Sequence, residues 1–185
     1  MSDASVRTAR ADDLSAVGEV QAAVWRSALV DVVDPATLAL FEPSNFEAAW
    51  RESLAQPPSP VHRLLVATEL DDMVGFVAIG PAESSGSGEI LAGGVLPERR
   101  GRGHGSRLLN AAIDTLAVND IDHVRVRVPE RDTPLVRFLA EAGFALSGHY
   151  VDRVITADGE TLREIELHTG VGDAGPDEQP HGHAH

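Results

Sequence analysis

Residues 99–107, Arg-Arg-Gly-Arg-Gly-His-Gly-Ser-Arg, set glycines at 101, 103 and 105 among arginines and run directly into the helical apolar spacing of Leu108, Leu109, Ala112, Ile113 and Leu116. A strand-like run, Glu89 to Leu96, precedes them. Strand, glycine-rich turn and helix N-terminus together aim successive backbone N–H groups at one point, which makes a receptor for phosphate. The glycines let the backbone close on the anion with no Cβ in the way. A P-loop would need a lysine, and the chain has none: all 15 of its basic residues are arginine. The same absence removes Schiff-base chemistry. A dinucleotide fingerprint would need glycine where Ser106 stands, within a parallel βαβ unit near the N-terminus. With no cysteine, disulfides, thiolate metal sites and a thiol nucleophile are excluded.

The elements that must position this loop follow from periodicity. Val6 to Ala9 reads as a strand, and Asp12 or Asp13 caps a helix with Leu14, Val17, Val20 and Val24 on one face. Asp34-Pro35 is a cap followed by proline at the first helical position. Ser44-Asn45-Phe46-Glu47 has the form of a capping box, opening a helix that Pro57-Pro58 closes. Arg63–Thr68 and Met73–Ile79 form a hairpin across Asp71-Asp72, and 82–88 is a Ser/Gly loop. After the loop helix come a strand at His123–Val128 and a helix carrying Leu135, Phe138, Leu139 and Ala142, which Gly143 ends. Strands at Ala145–Tyr150 and Leu162–His168 turn at Asp158-Gly159.

The expected fold class is mixed α/β in a single domain, because 185 residues with 43% hydrophobic content bury one core and divide poorly into two. Residues 1–170 form that domain, and 171–185 are expected to be a disordered acidic tail with His181, His183 and His185. A formal charge of −14 argues against nucleic-acid or anionic-membrane partners, so any anion must be held locally. The N-terminal residues have no apolar signal segment and no run is long enough to span a bilayer, so the expected location is cytoplasmic. No metal site is expected in the domain.

Arg100-Gly101-Arg102-Gly103-His104-Gly105, following Val95-Leu96-Pro97-Glu98 and followed later by Glu141-Ala142-Gly143-Phe144, resembles the pyrophosphate loop and flanking signatures of the GNAT superfamily of acyl-CoA-dependent N-acetyltransferases. The likeness covers roughly residues 5–168. It implies a GNAT-like fold, a central, mostly antiparallel sheet of 6–7 strands flanked by about four helices. It also implies acetyl-CoA as cosubstrate and an amine of a small molecule or peptide as acceptor, attacking the thioester directly. Homodimers occur among similar proteins, and a homodimer is the expectation here.

On this resemblance the backbone from Arg102 to Ser106, with the Arg100 and Arg102 side chains turned inward, would hold the diphosphate, while Arg99 and Arg107 face solvent. Backbone N–H at Val95 or Leu96 would polarise the thioester carbonyl. Glu89, eight residues before Pro97, is the candidate base, with His149 second. The family's tyrosine acid is replaced by Leu139, and its asparagine by Asp132, which leaves Tyr150, the one tyrosine, as substitute acid. The missing tyrosine also motivates an alternative, a non-catalytic acyl-CoA-binding or regulatory module of the same fold. Trp25, Phe41, Phe46 and Trp50 are available to line an acceptor pocket, although their spacing suits core packing.

Overall fold

In the computed structural model, which describes residues 3–172, the chain forms one mixed seven-stranded sheet with helices on both faces. In chain order these are β1 (Ala4–Thr8), α1 (Leu14–Leu29), α2 (Pro35–Leu38), α3 (Pro43–Ala55), β2 (Arg63–Glu69), β3 (Asp72–Pro81), β4 (Ser87–Val95), α4 (His104–Ala117), β5 (His123–Pro129), α5 (Thr133–Glu141), β6 (Ala145–Val154) and β7 (Thr161–Gly170). The spatial order is β1-β2-β3-β4-β5-β7-β6, antiparallel throughout except for β4 and β5, which run parallel and are joined by α4. A parallel pair needs such a crossover, and α4 supplies it.

Local chemistry explains most element ends. Leu70 and Asp71 carry positive φ of 50° and 70° in the tight turn joining β2 to β3. The Asp34 side chain accepts from Thr37 N–H at 2.9 Å, capping the short α2 as expected. Asp13 differs: it closes a 3-10 turn over Ala11–Asp13 by accepting from Arg10 N–H at 2.7 Å and pairs with Arg7 at 2.6 Å. The capping box expected at Ser44 does not form. Proline at the first helical position starts α3 two residues earlier, at Pro43 with Glu42 as the cap residue, and Glu47 pairs with Arg51 one turn on, at 2.7 Å.

The two faces have separate cores. On one, α4 and α5 press Leu108, Leu109, Ala112, Leu116 and Leu139 onto Val77, Ile79, Val124, Val126 and Leu167. On the other, α1 and α3 cover β2 and β3 through Leu14, Val17, Val20 and Trp50 against Val66, Phe76 and Ala78. A smaller cluster joins the end of α1 and α2 to β7 through Leu29, Val33 and Leu162, with Trp25 stacked on Phe41 at 5.8 Å. Trp50 packs edge-on to Phe76 at 6.1 Å and donates to Gln21 Oε1 at 2.6 Å. Trp25, Phe41 and Trp50 thus pack against these clusters, partly buried, and Phe46 is half-buried on α3.

Val171, placed in the tail by sequence, donates to the Asp122 carbonyl at 2.7 Å and packs against the larger core. The tail from 173 onward, including its three histidines, lies outside the described residues. Among the described residues no helix is long and apolar enough to cross a membrane.

β4 is the irregular strand. Ala78 pairs with Ala92 but Ile79 with Ile90, so Leu91 is an extra, bulged residue. The bulge reverses the side-chain alternation: Gly88 and Ile90 face α4, while Ala92 and Gly94 face α1. α1 lies so close to Gly94 that an added Cβ would fall 2.7 and 2.9 Å from the two methyls of Val24. Gly94→Ala should therefore cost about 1–3 kcal/mol in urea unfolding. Val24→Ala in the same chain should make the double variant lose less than the sum of the single losses.

Candidate active site

Beyond Leu91, β4 leaves β5. Their parallel ladder covers Ser87–Ile90 against His123–Val126 and stops, so the two strands diverge in a V whose vertex lies at Ile90 and Val126. Five residues of β4, Leu91–Val95, therefore face a gap of sheet-edge character instead of a partner. Leu96 N–H donates to the Val74 carbonyl at 2.8 Å. By the alternation of antiparallel bonding, the amides of Gly94 and Leu96 point to β3 and those of Gly93 and Val95 point into the gap. Of the two backbone donors expected for a thioester carbonyl, Leu96 is thus already engaged, and Val95 remains available.

The arginine-glycine loop stands at the open end of the V. Gly101 and Gly103 adopt φ of 76° and 86°, a left-handed region costly for other residues. Gly103 is the N-cap of α4, and Arg107 is the first residue to bond back, to the Gly103 carbonyl at 3.1 Å. The amides of His104, Gly105 and Ser106 consequently have no intrahelical partner, and they carry the positive end of the helix dipole. An added Cβ on Gly105 would touch Phe138 of α5 at 3.4 Å, so the loop is seated on that helix.

Of the two arginines expected to face solvent, Arg107 is exposed, whereas Arg99 is half-buried and meets Glu69 at 2.6 Å and Asp72 at 3.4 Å. Arg100 donates from Nε to the Val95 carbonyl at 3.2 Å, and Arg107 donates to the Arg102 carbonyl at 3.2 Å. Arg102, half exposed, reaches Glu69 at 3.3 Å. The His104 side chain is buried beneath the loop, its Nε2 lying 3.6 Å from Glu69 and neither ring nitrogen hydrogen-bonded. His104 can thus offer an anion only its backbone amide. Glu69, at the end of β2, is the hub of this group and was not singled out from sequence, because its partners lie some 30 residues away.

At the vertex, Glu89 points to the α1 side, opposite its neighbours Gly88 and Ile90. Its carboxylate accepts from Arg125 at 3.0 Å and lies 3.7 Å from Arg127. Arg127 is 3.4 Å from Glu166 on β7, and Glu166 is 3.6 Å from His149 on β6. Burial of Arg125 works against its charge, but the hydrogen bond and the charge of Glu89 outweigh it, so its pKa rises. Glu89 and His149 thus belong to one charged row on one face.

Tyr150 does not join them. It is on the edge strand β6, in register with Ile165 and through it with Val128, on the α5 face, more than half exposed with the Arg163 guanidinium 4.1 Å over its ring. Leu139, at the family's tyrosine position, is buried in the core, and Asp132 caps α5 by accepting from Leu135 N–H at 3.2 Å. Arg125, Arg127 and Glu166 went unnoticed in the sequence. Their signal is the alternation in His-Val-Arg-Val-Arg-Val, a central strand with one apolar face and one charged face.

The acetyltransferase (GNAT) family model matches residues 27–144, and the chain belongs to this family. Solved structures share its fold. A GCN5-related N-acetyltransferase from Rhodopseudomonas palustris superposes with a TM-score of 0.71 at 18% identity, covering 92% of this chain and 97% of that one. PaiA N-acetyltransferase from Thermoplasma acidophilum, solved with coenzyme A, gives 0.67 at 16% identity over 88% and 98%. yncA from Salmonella typhimurium, solved with acetyl-CoA, gives 0.64 at 19% over 95% and 99%. No curated protein sequence matches the chain.

The hydrogen bond from Arg99 holds the Glu69 carboxyl below its ordinary value against the opposing effect of burial, with help from Arg102 and His104. A depressed carboxylate stabilises the fold fully above its unfolded pKa and loses that effect as pH falls through the folded value. Glu69→Gln should therefore be less stable than the wild type at neutral pH, and urea midpoints should converge as pH drops below 4.5.

Proposed function

We propose that the chain transfers the acetyl group of acetyl-CoA to a primary amine of a small molecule or peptide by direct attack. The observation that carries this reading is the continuity of two backbone receptors. The unpaired amides at the start of α4 suit a diphosphate, and the freed edge of β4 leads from them to the V's vertex. Five extended residues span about 16 Å, a distance suited to an extended pantetheine arm bonding to Gly93 and Val95 as a partner strand would.

A thioester at the vertex would lie beside Glu89. The amine nitrogen attacks the carbonyl carbon, the C–N bond forms and the C–S bond breaks, and the sulfur leaves with the electron pair. The surplus proton on nitrogen passes through water to Glu89, the positioned carboxylate on that face. The backbone amide of the freed edge nearest the vertex would hold the charge developing on the carbonyl oxygen, because Val95, at the far end of that edge, is left to the pantetheine arm. No side chain acid stands where Leu139 replaces tyrosine, so the thiolate would take its proton from solvent. Location in the cytoplasm fits this cosubstrate.

Calorimetric titration with acetyl-CoA tests the reading. Wild type should bind and Gly103→Glu should not, since a side chain there strains a residue at φ 86° and puts a carboxylate against the phosphates. Glu89→Gln should keep cofactor affinity and lower kcat by about 10²-fold or more in thiol-release assays. Tight binding with no thiol release for any amine would favour a non-catalytic acyl-CoA-binding module instead.

A further inference from the structure

The charged row beside Glu89 has a composition that a simple amine acceptor does not require. Over β2 and β3 the α1 side of the sheet is sealed by apolar helices, and over the start of β7 by Leu29, Val33 and Leu162. Between them, β5 presents His123, Arg125 and Arg127 half-buried, and among the described residues none of the apolar clusters includes them, while Val124, Val126 and Val128 go into the core behind. Leu91, 49% exposed, and His149 stand at the rim. We read these side chains as the floor of a polar trough at the vertex of the V.

The floor alternates in sign from β4 to β7: Glu89, then Arg125 and Arg127, then Glu166. Its two arginines are held differently. Arg125 is hydrogen-bonded to Glu89 at 3.0 Å with its side chain 20% exposed. Arg127 lies between the two carboxylates at 3.7 and 3.4 Å, beyond good hydrogen-bonding length, with 34% of its side chain exposed. It is a guanidinium held by charge but without a fork partner, at the open side of the floor. Were the acceptor a plain cation or polyamine, Glu89 and Glu166 would receive it best without neighbouring guanidiniums, whose charges oppose it at close range.

We propose that the acceptor is an amino-carboxylate, its amine and carboxylate one or two carbons apart, and that Arg127 receives the carboxylate while Glu89 receives the ammonium. The inference rests on the acetyl-transfer reading above, which puts the amine at the vertex. Arg127 and Glu89 are already neighbours at 3.7 Å, so a substrate bridging them must carry its two charges close together. The substrate carboxylate would take both arms of the fork, a bidentate geometry that neither Glu89 nor Glu166 now achieves with Arg127. Glu166 then serves as the counter-charge that keeps Arg127 in place when the trough is empty. Free amino acids fit this floor. Polyamines, and peptide N-termini whose first residue has no carboxylate so near its amine, do not.

The test uses matched pairs of small, acidic, basic and aromatic α-amino acids and their amides, read by thiol release with acetyl-CoA. At least one amino acid should exceed its amide at least tenfold in kcat/KM, chiefly through KM. Arg127→Gln should bring that ratio close to one, with acetyl-CoA affinity measured in parallel to confirm a folded cofactor site. Amides turned over as well as their acids, or a ratio that survives Arg127→Gln, would overturn the proposal. Loss of acetyl-CoA binding by the wild type would instead overturn the acetyl-transfer reading beneath it. Should the wild type bind acetyl-CoA yet acetylate none of the pairs, the ¹⁵N–¹H signal of Arg127 Nε in the CoA complex decides. A shift on adding amino acids but not amides supports the carboxylate site, and no shift overturns it.

Discussion

One extra residue in β4 governs the rest of this molecule. Leu91 has no counterpart in β3, and taking it up bends β4 away from β5 after four paired rungs. A sheet normally keeps its backbone polar groups satisfied by keeping its strands together. Here the departure leaves the amides of Gly93 and Val95 facing a gap inside the sheet, with their neighbours still pinned to β3. Because the same bulge shifts the alternation, Glu89 below it and Gly94 above it emerge on one face, α1 can press closely on Gly94, and the charged floor stays half-buried beside it.

The phosphate-type loop depends on that departure as much as on its own glycines. The turn begins where β4 ends, and α4 must then cross to β5, so the start of the helix is brought over the mouth of the V. Beneath the loop, Glu69 gathers Arg99, Arg102 and the buried His104. In a chain of net charge −14, a carboxylate there offsets the crowding of cations around the loop and holds the loop's base to β2. The backbone amides, which carry no mobile charge, are left as the constant part of the receptor.

Features set by neighbours in sequence were legible from sequence: the turn before β3, the cap at Asp34, the glycine ending α5 with φ of 95°, and the strand, loop and helix around the arginine-glycine run. Where two local signals competed, the reading slipped, as when proline at Pro43 set the start of α3 instead of Ser44. Features set by pairing across the sheet were not legible. The bulge shows only in the register of β3 against β4. The partners of Arg99 and Arg127 come from other strands, and the isolation of Tyr150 follows from which face of β6 it occupies. Glu89 was singled out as a candidate through the family resemblance, whereas the arginines that surround it needed the fold.

The choice of arginine in the trough has a chemical meaning of its own. An ammonium side chain close to a reactive acyl donor would lose its proton part of the time and compete with the intended nucleophile, capping itself in the process. A guanidinium keeps its proton across the whole working pH range and is a poor nucleophile. Arg125 and Arg127 can therefore lend positive charge at close quarters without being consumed. With no lysine anywhere in the chain, no side chain offers a primary amine that could compete with the acceptor for the reagent that its family handles.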